Sequence, residues 1–130
     1  MNKRINFPIH IFVLILSFQL TVNAQTDKRL DSIAGVYVVD LRPTPNSEAY
    51  MQEFVVSGWD KNSFNGSFYG AEIKDGLINR KFKNTFLAFT TEDRTNTYYH
   101  FVKILSDRIE GLTYSSDRAL IQPWTGLKKE

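Results

Sequence analysis

The chain has 130 residues, no cysteine, 16 basic against 14 acidic side chains and an aromatic content of 14%. That length holds one hydrophobic core and not two, and a chain so rich in aromatics is neither disordered nor low in complexity. The absence of cysteine excludes disulfide staples and thiolate chemistry, and the near balance of charge excludes the basic footprint that nucleic acid or an anionic membrane requires.

The first stretch reads as an address rather than as structure. Asn2, Lys3 and Arg4 give a positive start, residues 9–20 are almost wholly apolar, and Val22-Asn23-Ala24 sets short residues where a signal peptidase reads. The apolar run is short for a bilayer span and a polar segment follows it. Residues 1–24 are therefore expected to be a secretory signal peptide, and residues 25–130 one exported domain, periplasmic or secreted, with no membrane span after cleavage. No cysteine follows the run, so a lipoprotein anchor is excluded. Lys3 and Arg4 leave with the leader, and the remainder carries fourteen basic against fourteen acidic residues. One basic cluster remains, Asn79-Arg80-Lys81-Phe82-Lys83, and it reads as a solvated strand face or turn flank.

After a polar lead-in at residues 26–32, residues 33–41 are rich in β-branched side chains and stop at Arg42-Pro43-Thr44-Pro45-Asn46, where two prolines end any ladder. A second strand is expected over 50–59, and Asp60-Lys61-Asn62 turns it into a third that begins at Phe64. Lys74-Asp75-Gly76-Leu77 has the composition of a tight hairpin leading into a strand over 77–83. Strands over 85–91, 97–105, 109–115 and 118–124 follow, separated by the polar loop Glu92-Asp93-Arg94-Thr95-Asn96, by Ser106-Asp107 and by Ser116-Asp117. Pro123 marks a bulge or an edge in the last of them.

No window carries the three-and-four spacing of an amphipathic helix. Seven or eight short strands with turn signals every eight to twelve residues predict an all-β domain, and the short links make neighbouring strands antiparallel. A single up-and-down β-barrel is the simplest path, with an open β-sandwich as the alternative. Two segments share a frame that such a barrel needs: Phe64-Asn65-Gly66-Ser67-Phe68-Tyr69-Gly70 and Ile109-Glu110-Gly111-Leu112-Thr113-Tyr114-Ser115. A glycine inside a strand signals a sharp bend or a close approach by another group.

These residues carry a resemblance to the calycin group, the small barrels that include lipocalins and avidins. Gly35-Val36-Tyr37 stands at the start of the first strand, where those families have Gly-x-Trp. The Phe64 and Ile109 segments look like the Gly-x-Tyr strand signatures of avidin-like barrels, and Arg118 and Trp124 look like their closing strand. The resemblance implies that Gly66 and Gly111 face the barrel interior. Period-two alternation then puts Phe64, Phe68, Ile109, Thr113 and Ser115 inside, joined by Tyr37, Val39 and Leu41 of the first strand. An eight-stranded barrel is either filled by such side chains or holds one small ligand, and both outcomes are open at this point.

Catalysis finds no support in the sequence. His100 is the one histidine beyond residue 24, which removes a histidine-rich metal site, and no nucleophile-elbow pattern is present. Glu53, Glu72 and Glu110 read as solvated or rim carboxylates, and no metal or cofactor is expected. The aromatics are the better candidates, since Tyr and Trp offer flat apolar faces with one polar handle each. The expected ligand-binding set is Tyr37, Phe64, Phe68, Tyr98, His100, Thr113, Arg118 and Trp124. Tyrosine hydroxyls, His100 or Arg118 would orient an apolar or amphipathic small molecule. The competing reading for His100 is a structural residue bonded to its neighbours. The competing reading for the whole domain is a protein-interaction module with a filled core and an exposed aromatic or edge-strand docking surface.

Overall fold

A computed structural model describes residues 33–130; the expected signal peptide and lead-in lie outside the described residues. Among the described residues nine strands are present: β1 Gly35–Asp40, β2 Met51–Trp59, β3 Phe64–Phe68, β4 Ala71–Glu72, β5 Lys74–Asn79, β6 Thr85–Glu92, β7 Thr97–Ile104, β8 Ile109–Ser115 and β9 Leu120–Lys128. They form one antiparallel sheet in the order β4-β3-β2-β1-β9-β8-β7-β6-β5, so the last strand returns to pair with the first. Chain neighbours are sheet neighbours, as short connections favour, except β4 and β5, which stand at the two ends of the order. The sheet curls into a nearly closed up-and-down barrel whose remaining seam lies between β3 and β5. There a Ser63–Leu77 bridge is flanked by bonds from Ile73 N–H to the Gly66 carbonyl and from Ile78 N–H to the Asn62 carbonyl, 3.0 Å each.

The strand count exceeds the expected seven or eight because the third hairpin turns earlier than Asp75-Gly76. Tyr69 and Gly70, with φ of 53° and 75°, make the two-residue turn that joins β3 to β4. Positive φ at both central positions matches the twist of the flanking strands. Asp75, at φ 52°, instead forms an irregularity inside β5, where the register against β6 shifts between Lys74 and Leu77. The same Asp-Gly pair that suits a hairpin also suits a bulge.

Period-two alternation fills the barrel. Tyr37 and Val39, Phe54 and Val56, Phe64 and Phe68, Leu87 and Phe89, and Val102, Ile109 and Trp124 are all buried. Phe54 sits at the centre, stacked on Phe89 at 5.2 Å between ring centroids and on Tyr37 at 5.7 Å, with Phe64, Phe68 and Trp124 set against it edge-on. Offset and edge-on aromatic pairs contribute about 0.5–1.5 kcal/mol each beyond their buried area.

Gly111 is what lets Trp124 in. The two residues are paired across β8 and β9, and a Cβ at Gly111 would lie 2.2 Å from the indole ring. Any side chain there displaces the largest residue of β9 from the core.

Pro123 lies just before the point where β9 starts to pair with β1, at Thr125. Past the end of β1, the Gln122 side-chain amide takes over its role, donating to the carbonyls of Leu41 at 2.6 Å and Arg42 at 3.0 Å.

Outside the barrel, Leu77, Ala88, Phe101, Leu112 and Pro123 stand in register across five consecutive strands, with Leu77 and Phe101 more than half exposed. Glu53, Glu72 and Glu110 lie on the outer surface as expected. Glu110 pairs with Arg108 at 2.9 Å and Glu53 with Lys129 at 3.6 Å. The Arg80-Lys81 cluster falls in the turn between β5 and β6.

Candidate functional site

The aromatic filling stops short of one end. At the end formed by the β1–β2, β3–β4, β6–β7 and β8–β9 connections a cleft of about 230 Å³ opens into the barrel. Leu41, Phe68, Ala71 and Leu120 give it apolar walls, and Tyr50, Tyr69, Tyr98 and Arg118 stand around it. Thr91, His100, Thr113 and Gln122 supply its polar groups. The alternation of β6 explains Thr91: Leu87, Phe89 and Thr91 all point inward, and the last of them reaches the cleft.

His100 is the pivot of the polar groups. It is 2% exposed, with Phe68 at 4.4 Å and Phe89 at 4.6 Å between ring centroids. Its Nε2 lies 2.8 Å from Thr91 Oγ1 and its Nδ1 lies 2.9 Å from Thr113 Oγ1. Thr113 Oγ1 also accepts the indole N–H of Trp124 at 2.9 Å. Burial among apolar rings penalises the imidazolium and lowers the His100 pKa to about 4, so the ring is neutral at neutral pH.

The rim is held by a second set of bonds. Asp93 accepts the backbone N–H groups of Thr95 and Asn96 at 2.9 and 2.8 Å, closing the loop between β6 and β7. Its other oxygen accepts the Tyr98 hydroxyl at 2.7 Å. The backbone bond from Thr95 and the Tyr98 hydroxyl are the leading reasons its carboxyl is held well below the usual carboxylate range. Arg118 donates to the Tyr98 oxygen at 3.3 Å, and its guanidinium carbon stands 6.0 Å from the centre of the same ring. Across the opening the hydroxyls of Tyr50 and Tyr69 are bonded to each other. Three tyrosines, Tyr50, Tyr69 and Tyr98, thus stand around the cleft, each fixed by its polar end.

Of the eight residues expected to bind a ligand, Phe68, Tyr98, His100, Thr113 and Arg118 line this cleft. Tyr37, Phe64 and Trp124 do not; they belong to the packed aromatic core. Trp124 reaches the site only through its bond to Thr113. Sequence reasoning passed over Thr91, Gln122, Tyr50 and Tyr69. Thr91 and Gln122 were findable from period two, the first from Phe89 and the second from Trp124.

Among the described residues no cluster of histidine and carboxylate side chains has the arrangement of a metal site, and no helix is long and apolar enough to cross a membrane. The fold is compatible with a calycin-like barrel, while no family model, curated protein or solved structure matches the chain.

Proposed function

We propose that this is an exported, calycin-like binding protein that holds a small apolar or amphipathic molecule in the mouth of its barrel rather than along its axis. One observation carries the reading: the interior is packed with aromatic rings up to Phe68 and His100, and the 230 Å³ cleft begins where the packing ends. Apolar walls with a few convergent polar groups are the usual makeup of a small-molecule site. The volume lies below the roughly 300–1,000 Å³ typical of drug-sized ligands, so the bound molecule, or the part of it that enters, is small. Binding draws on burial of apolar surface against Leu41, Phe68 and Leu120, at about 25 cal/mol per Å².

The test is native mass spectrometry of the protein purified gently from its own host, beside the variant Leu120→Trp, which fills the cleft from β9. The expected result is an added mass on the parent protein that denaturation removes and that Leu120→Trp lacks. An adduct equally abundant on both proteins places the ligand elsewhere and ends the reading. A bare chain that assembles into a defined multimer favours docking through the outer apolar row that contains Phe101.

A further inference from the structure

The hydrogen bonds beneath the cleft do not balance, and the imbalance specifies the ligand. Four polar hydrogens meet there: the indole N–H of Trp124, the hydroxyl protons of Thr113 and Thr91, and the single N–H of neutral His100. Three contacts join the four side chains: Trp124 to Thr113, Thr113 to His100, and His100 to Thr91. One hydrogen therefore has no acceptor within the network, whichever way the bonds run.

The fixed end is Trp124, and it leaves Thr113 with a proton to place. An indole N–H only donates, so Thr113 Oγ1 accepts from Trp124 and keeps its own proton to give away. Its other neighbour in the network is His100 Nδ1, at 2.9 Å. Thr113 donating to Nδ1 puts the ring proton on Nε2, which donates to Thr91 Oγ1 at 2.8 Å. The surplus hydrogen then belongs to Thr91, which has a single partner in the network, lines the cleft and is 4% exposed. The opposite polarity would strand the proton of Thr113, which also lines the cleft and is 7% exposed but already has both His100 and Trp124 on its oxygen, whereas Thr91 has His100 alone.

We propose that Thr91 presents a hydroxyl donor to the cleft at the end of the directed chain Trp124→Thr113→His100→Thr91, and that the site selects small apolar molecules bearing a carbonyl or ether oxygen. This rests on the reading of the cleft as a ligand site. A buried donor left unmatched disfavours a wholly hydrocarbon ligand, and an acceptor oxygen that meets it restores the bond that water would otherwise make.

The probes are acetophenone and ethylbenzene, which share a skeleton and differ by one carbonyl oxygen, titrated by NMR into the parent protein, Thr91→Val and Thr91→Ser. The parent and Thr91→Ser are expected to bind acetophenone about 2- to 10-fold more tightly than ethylbenzene, and Thr91→Val to lose that preference. Equal binding of both probes, or tighter binding of ethylbenzene, by the parent overturns the acceptor rule while leaving the cleft as a site. Failure of both probes to shift any cleft resonance overturns the cleft reading and this one with it. Independently of any ligand, nitrogen-15 shifts of His100 are expected to show a bare Nδ1 and a protonated Nε2. A protonated Nδ1 reverses the chain and overturns the assignment to Thr91.

Discussion

The two ends of this barrel are built from the same nine strands and the same alternation, yet one is solid and the other is open. At the solid end the inward positions are occupied by Phe54, Val56, Phe64, Leu87, Val102 and Ile109, groups with no polar atoms to satisfy. At the mouth the same alternation delivers Thr91, His100, Thr113, Ser115 and Gln122. The difference lies in side-chain chemistry and not in backbone. Apolar rings gain by closing on one another, whereas hydroxyls and an imidazole hold each other at fixed hydrogen-bond distances and leave room above them.

The contrast is broken most severely at the solid end. Phe54→Ala removes the ring against which five other aromatics pack and is expected to cost about 3–5 kcal/mol of stability. Tyr50→Phe, which deletes only a hydroxyl at the exposed rim, is expected to stay within about 0.5 kcal/mol. Urea unfolding of the two variants measures the difference, and equal losses would mean that the two ends do not differ as described.

A second, smaller effect comes from His100 and depends on pH. Its pKa is lowered from 6.5 to about 4 in the folded chain, so between those values the unfolded chain binds a proton that the folded chain refuses. Stability therefore rises with pH across this window. Its full contribution, ~3 kcal/mol, is present above pH 6.5 and is lost as pH falls towards 4. His100→Gln, with no group to titrate, is expected to show a flat profile from pH 6.5 to 5, read from thermal or urea unfolding. A parent profile as flat as that of the variant would refute the buried neutral imidazole.

The smallest effect sharpens the comparison by repairing the mouth. Ser115 Oγ is fully buried and has no hydrogen-bond partner. Ser115→Ala removes that stranded hydroxyl and is expected to stabilise the fold by about 1 kcal/mol, visible as a higher urea midpoint with an unchanged slope. Destabilisation by the same change would show that the hydroxyl is matched after all.

How far the sequence reached follows the same division. Once the resemblance had set which face of each strand turns inward, period-two alternation placed Tyr37, Val39, Phe64, Phe68, Ile109, Thr113 and Ser115 inside, and all seven are buried. The in-strand glycine at Gly111 correctly signalled a close approach, although nothing local named Trp124 as the visitor. The hairpin was misplaced because Asp75-Gly76 satisfies a bulge as readily as a turn, while the actual turn uses Tyr69, a residue with no preference for positive φ. The polar chain beneath the cleft stayed hidden for a different reason. It is assembled from β6, β7, β8 and β9, and it exists only once the register sets His100 opposite both Phe89 and Thr113.

The seam between β3 and β5 gives the ring a clasp. The other junctions are ladders of two to eight residue pairs, whereas this one holds by a single bridge and two flanking backbone bonds, and the register of β2 against β3 and of β5 against β6 slips on either side of it. The least costly way for such a ring to open is there, by local unfolding rather than global. Opening frees two unpaired strand edges that are complementary by construction, because each has just left the other. Two opened rings brought together can fasten edge to edge, each completing its partner, so the clasp that lets this small barrel close is also the place where it can exchange strands with a copy of itself.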